Sequence, residues 1–343
     1  MFGTSRPNRN RLSEACPACP ERSERAREGL RGASRSSRRR RTSRLPFAML
    51  LAAMTVTAGC QSVPTDRQVS TFAEATSMVA SVARATLAAS NVAVVKRRLR
   101  ERAALGGGVD DALFTPLVAD DAYATRIEFL DALERYATAL EELAAADRGK
   151  TMGKAVTRLA GALDALGKHY ERITGKKEPS VRRGAVKELV TVIGGEVTEA
   201  QRRESIRRAV AILHHGLPEM LPVLRDEVGP TGIFGIAHLN QAESEKATLM
   251  SRYNTDHQRK RLSKNPDKRL VRLNRIREAW DRTAAVENLY AHLQEAVEQL
   301  IIAEQALYDA TRGSGNPEQF FEAVARAADR ARAVSRIRKR LKE

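Results

Sequence analysis

Metal binding, thiol chemistry and anion recognition are the three chemistries that the side chains of this 343-residue chain raise. Its histidines are His169, His214, His215, His238, His257 and His292. On a helix the adjacent His214 and His215 point about 100° apart, so they do not share one ion. His215 and Glu219 stand four apart, a spacing that brings two ligands onto one face, but Pro218 disturbs that turn. No H-E-x-x-H and no third ligand in register is present, so neither a metal nor a cofactor is expected. Cys16 and Cys19 form a C-x-x-C pair without a second pair or a nearby His, and no βαβ pattern surrounds them. No G-x-S-x-G, phosphate-binding loop, dinucleotide fingerprint or kinase signature occurs. Carboxylates are abundant, yet none stand out as an acid/base pair, and an enzyme is not expected.

Anion recognition has better support. From Arg259 to Arg277 the chain holds nine basic residues, set against Asp267 and Glu278. The candidates for an anionic partner are Arg259, Lys260, Arg261, Lys268, Arg269, Arg272 and Arg275. On a helix Lys268, Arg272 and Arg275 share a face, with Arg269 beside it. Such a face suits lipopolysaccharide phosphates, anionic lipid or an acidic protein. The plain alternative is a solvated face beside an apolar seam. A second candidate lies in the apolar, Gly-rich run 228–237, where Ile233, Phe234 and Ile236 could form a membrane-inserting tip. Its alternative is a packed turn between helices.

Cys60 ends the stretch Leu45-Pro-Phe-Ala-Met-Leu-Leu-Ala-Ala-Met-Thr-Val-Thr-Ala-Gly-Cys60, which follows five arginines among the seven residues Arg38 to Arg44. The apolar run Leu45–Ala58 has 14 residues, short of the roughly 20 that span a bilayer as a helix. A basic stretch, a short apolar stretch and small residues before a cleavage point mark a secretory signal. With Ala58, Gly59 and Cys60 at its end, this segment resembles a bacterial lipoprotein signal with its lipobox, although Thr57 stands where the family favours Leu. The resemblance implies cleavage between Gly59 and Cys60, acyl chains on Cys60 and, because Gln61 rather than Asp follows, the outer membrane. Residues 1–37 are rich in Arg, Ser, Pro and Glu and cannot bury enough apolar surface to fold. Ala15–Gly29 looks like a translated intergenic repeat, which puts the expected start of translation between it and Leu45.

Charge must be apportioned accordingly. The whole chain carries +17, but residues 1–59 hold 13 Lys/Arg and four Glu, a net of +9, leaving +8 for residues 60–343. Nucleic-acid binding is therefore set aside, because it needs the signal to be false and the chain to stay in the cytoplasm. Aromatics are 4 %, poor for stacking on bases or sugars. After Cys60 there is no cysteine, so no disulfide, and no further apolar stretch of membrane-spanning length is expected.

The elements that must position these residues read as helix almost throughout, since Ala, Leu, Glu and Arg dominate and period-two alternation is nearly absent. A first helix is predicted over 66–104, ended by Gly106-Gly-Gly108. A second spans about 121–147. In the third, Met152, Val156, Leu159, Leu163, Leu166, Tyr170 and Ile173 form an unbroken heptad-type seam, and a short link makes helices two and three a hairpin. A fourth covers about 179–194. Thr198 with Gln201 caps a fifth, which Pro218 and Pro222 should kink or end. The longest runs from Pro266 or Asp267 to about Thr311, with Leu273, Ile276, Trp280, Val286, Tyr290, Leu293, Val297, Leu300 and Leu307 inward. Asn316 caps the last, with Pro317 at its first position.

The expectation is an all-α, elongated helical bundle with long antiparallel, coiled-coil-like helices. Residues 1–37 are an extension, 38–59 the signal, 60–70 the anchor and tether, and 71–343 the bundle, with a sub-boundary near 176–180. Its expected role is that of a non-catalytic scaffold or adaptor, held to the cell envelope by lipid and meeting a protein partner or itself through helix faces. The alternative is a pore-forming or membrane-remodelling protein that inserts residues 211–239.

Overall fold

Thr65 starts the first helix. Its hydroxyl accepts the Gln68 N–H, and the Gln68 side chain accepts the Thr65 N–H, a reciprocal cap that satisfies two orphan donors. The computed structural model describes residues 64–106, 108–115, 120–146, 150–191 and 198–342. Nine α-helices lie among these residues: α1 (Asp66–Leu105), α2 (Asp120–Ala145), α3 (Lys150–Thr174), α4 (Ser180–Thr191), α5 (Glu199–His214), α6 (Leu217–Glu227), α7 (Ile233–Gln258), α8 (Pro266–Thr311) and α9 (Pro317–Lys342). A short 3₁₀ turn covers Asp111–Leu113, and no strand occurs among the described residues. The all-α reading holds. Gly59, Cys60 and the segments 1–37, 38–59 and 60–63 lie outside the described residues.

Helix boundaries follow the capping chemistry. Gly106 ends α1 at φ 67°, a left-handed conformation that suits a residue without Cβ. Thr198 and Gln201 cap α5 reciprocally. Asn265 accepts the N–H groups of Asp267 and Lys268 at the start of α8, with Pro266 at the first position. Asn316 does the same for Glu318 and Gln319 ahead of α9. Pro218 does end the α5 path: α5 stops at His214 and α6 begins at Leu217. Pro222 does not break α6 but sits inside it.

α1 is the spine. It packs against α2, α7, α8 and α9, and its fully buried stripe includes Val69, Phe72, Val79, Ala83, Leu87 and Val94. Residues 66–70 thus belong to the bundle, not to a tether, because they form the capped first turn and Val69 is buried. A second correction concerns apolarity. α1 holds an 18-residue window of mean hydropathy 1.5, apolar enough by length and composition to cross a bilayer, where no such stretch was expected after Cys60. Val and Ala with few charges give that value, and half of the window is buried in the bundle.

α2 and α3 pack on each other, and the α3 seam from Met152 through Tyr170 is buried, with α2, α5 and α6 among the helices that pack on α3. Among the described residues no boundary falls near 176–180: they form one compact unit, and Lys176 reaches across to Glu219 of α6 at 2.7 Å.

α7 runs in the same direction as α1. The Ser90 hydroxyl donates to the Phe234 carbonyl at 3.0 Å, and further along Arg100 meets Glu245 at 3.1 Å. α8 returns antiparallel to α7, with Arg282 on Glu245 at 3.3 Å and Arg272 on Asp256 at 2.8 Å. No residue from Glu243 to Glu278 is buried. The two helix ends therefore form an arm that leaves the bundle. From Glu245 to Gln258 the helical rise is about 20 Å.

Candidate functional site

The arm holds every candidate residue for anionic binding. Its turn is built by a complete C-terminal motif. The Lys260 N–H donates to the His257 carbonyl at 3.0 Å, and the Arg261 N–H donates to the Asp256 carbonyl at 2.8 Å. Lys260 takes the left-handed position of that motif, at φ 55°, where glycine is usual. Arg259, Lys260 and Arg261 thus stand exposed at the tip. Lys268, Arg269 and Arg275 follow, exposed, on the first turns of α8. Arg272 is set apart. It pairs with Asp256 at 2.8 Å and lies over the Tyr253 ring at 5.5 Å, so it fastens the two helices.

Charge is concentrated here. Residues 252–277 hold ten Lys/Arg against Asp256 and Asp267, a net of +8. That equals the net charge of residues 60–343, so the rest of that span balances. Among the described residues, Arg272 is the one cation of these ten in an ion pair. Cations crowded on a projection raise the local potential and draw anions from a distance.

The arm is also apolar on its surface. Leu270, Val271, Leu273 and Met250 are exposed, and Trp280 is 54 % exposed with the Lys246 ammonium 4.2 Å from its ring. Leu273 and Trp280 are on the inward stripe expected for the longest helix, and the structure corrects this. Among the described residues α7 is the element that meets that part of α8, and polar and cation–π contacts join the two. From Val286 onward the expected stripe is buried.

The second candidate fares differently. Phe234 is 0 % exposed, whereas Ile233 and Ile236 are 47 % and 45 % exposed. The expected three-residue tip is therefore not presented as a unit. The physical reason is close packing of the α6–α7 turn. A Cβ on Gly232 would stand 2.2 Å from the Asp226 carbonyl oxygen, and one on Gly235 would stand 2.1 Å from that of Gly229. The glycines let two backbone segments touch, with Phe234 in the core.

His214 is placed where sequence reasoning did not look. Its Nδ1 lies 3.1 Å from the Glu304 carboxylate, and its ring stacks on Tyr308 at 3.7 Å. Glu304 is buried, which pushes its carboxyl above the ordinary range. The buried Tyr136 hydroxyl has no hydrogen-bond partner, and burial also raises its pKa. One signal was available: Glu304 occupies the apolar stripe between Leu300 and Leu307. His215 is exposed, and Glu219 is engaged by Lys176. His238 meets the Tyr290 hydroxyl at 3.3 Å, and burial lowers its pKa to about 4. Among the described residues no three His, Cys, Asp or Glu side chains converge on a metal position.

No family model, no curated protein and no solved structure matches this chain.

Proposed function

We propose that this protein is a lipid-anchored, non-catalytic adaptor of the cell envelope, tethered at Cys60 and presenting the α7–α8 arm to an acidic partner. One observation carries the reading: the cationic arm lies at the end of α1 away from Asp66, which follows Cys60 by six residues in the chain. Asp66 opens α1, while Arg100, near its other end, meets the root of the arm at Glu245. Along α1 these points are about 50 Å apart, and the arm adds about 20 Å in the same direction. An acyl chain at Cys60 would hold one end at the outer membrane while the +8 tip samples space far from the anchor. Leu270 and Val271 supply apolar contact once charge has brought a partner close.

Two measurements test it. Intact-mass analysis of the protein from its native membranes should find acylated Cys60 at the N-terminus, and Cys60→Ala should abolish it. A photo-cross-linking residue in place of Val271 should then trap one discrete acidic protein. Changing Arg259, Lys260 and Arg261 together to Glu should remove that product. An unprocessed chain in the cytoplasm, or no discrete product from Val271, would sink the proposal. A second reading, insertion of residues 211–239 into a bilayer, draws on the exposed Ile233 and Ile236. It requires Phe234 to leave a buried seat, and absence of liposome leakage at every lipid composition would eliminate it.

A further inference from the structure

A cleft of about 680 Å³ opens at the root of the arm, where α1, α7, α8 and α9 meet. Pockets for small ligands run from about 300 to 1,000 Å³, so the size suits one. Its floor is apolar, formed by Ala89, Ala93, Ala242, Val286, Leu289 and Leu341. Val92 also lines it and is largely exposed there. Small side chains on α1 create the space, since alanines leave a groove where larger residues would meet the neighbouring helices.

The wall is polar and mostly cationic. Lys96, Arg100, Arg282 and Arg338 line it, with Glu245 the one carboxylate among the described lining residues. Glu245 already accepts ion pairs from Arg100 and Arg282. Lys96 and Arg338 have no carboxylate partner among the described residues. Two buried polar atoms in the cleft also lack hydrogen bonds: the Nε of Arg338 and the Oε1 of Gln241, a residue only 7 % exposed. Buried polar groups without partners are uncommon in folded proteins, and a bound water, ion or ligand is one way of satisfying them. A half-turn of the Gln241 amide exchanges its acceptor for a donor.

We infer that this cleft binds a single-chain amphiphile with a carboxylate head, the chemistry of a fatty acid. The alkyl chain lies on the alanine and leucine floor. The carboxylate accepts from Arg338 and Lys96, and from the turned Gln241 amide. His238, also in the wall, is neutral near pH 7 and adds no charge. The inference is independent of the adaptor reading.

Titration calorimetry of the full chain with decanoate, below its micellar concentration, tests it. One decanoate should bind saturably, and decyltrimethylammonium should not. Arg338→Gln or Lys96→Gln should weaken decanoate roughly tenfold, the typical worth of a charge-assisted hydrogen bond. Ala89→Trp, which fills the floor, should abolish binding while circular dichroism stays that of the wild type. Changing Arg259, Lys260 and Arg261 to Gln should leave decanoate affinity intact, which separates the cleft from the arm. No saturable binding by the wild type, equal affinity for the cationic amphiphile, or undiminished binding by Ala89→Trp would overturn the inference.

Discussion

Excising the arm should leave the bundle standing. The perturbation is deletion of Lys246–Asp281, with Glu245 joined to Arg282 through four Gly/Ser residues. The side chains of Glu245 and Arg282 already meet at 3.3 Å, so the cut ends are neighbours. The deletion removes eleven Lys/Arg and four Asp/Glu, and the net charge falls from +17 to +10. Ala279 is the only buried residue lost. Burial of its methyl is worth about 1 kcal/mol. The Lys246–Glu243 pair, exposed on the Glu243 side, is also lost and adds between about 0 and 1 kcal/mol. The sum, about 2 kcal/mol at most, lowers Tm by roughly 4–8 °C in a body of this size. Relief of repulsion among the arm's cations acts in the opposite direction. Thermal unfolding followed at 222 nm gives the answer, with native ellipticity reduced only by the helix removed. A fall beyond about 10 °C, or loss of a cooperative transition, would mean that the arm holds the bundle together and would refute the argument from burial.

Gly235→Ala should lower the urea midpoint by the equivalent of roughly 1–3 kcal/mol or more, because its Cβ would sit 2.1 Å from the Gly229 carbonyl oxygen; an unchanged midpoint would show that the α6–α7 turn yields. Thr65→Ala and Thr198→Ala should each cost about 1 kcal/mol in the same assay, as each removes a side-chain cap. His238 is held neutral by burial, its pKa lowered from 6.5 to about 4, so the unfolded chain binds the extra proton between those values. Its contribution is full above pH 6.5 and is lost as pH falls to about 4, up to about 3 kcal/mol, so the gap between wild type and His238→Gln should narrow over that window. Lys260→Gly relieves a left-handed non-glycine residue, and amide exchange around the tip should slow roughly fivefold, the equivalent of about 1 kcal/mol.

Much of the architecture was legible because helix signals are local. Thr198 with Gln201, and Asn316 before Pro317, announce helix starts through chemistry confined to a few residues. The seam from Met152 to Tyr170 is legible for the same reason, since periodicity within one helix tells which face is buried. What escaped depends on partners distant in the chain. Periodicity continues through Leu273 and Trp280, but nothing local says that no third helix covers them. Phe234 in a Gly-rich run looks like a free tip until the backbone contacts of Gly232 and Gly235 are known. His214 and Glu304 are 90 residues apart, and the cleft lining comes from four helices. The cationic cluster was visible as composition, and the length of the helix that begins at Pro266 already pointed to an elongated bundle or a protruding hairpin.

α1 leaves the ribosome first and is covered last. Its partner helix α7 begins at Ile233 and α9 at Pro317, while α1 ends at Leu105. At about 5–20 residues per second, the 211 residues between Leu105 and Pro317 take roughly 10–40 s to synthesise. Throughout that interval α1, with its 18-residue stretch apolar enough to cross a bilayer, has α2 on one side and no α9 on another. Biosynthesis therefore imposes a race between completing the bundle and capture of α1 by any apolar phase or chaperone nearby. Mutations that slow the docking of α7 or α9 would lower yield before they lower equilibrium stability.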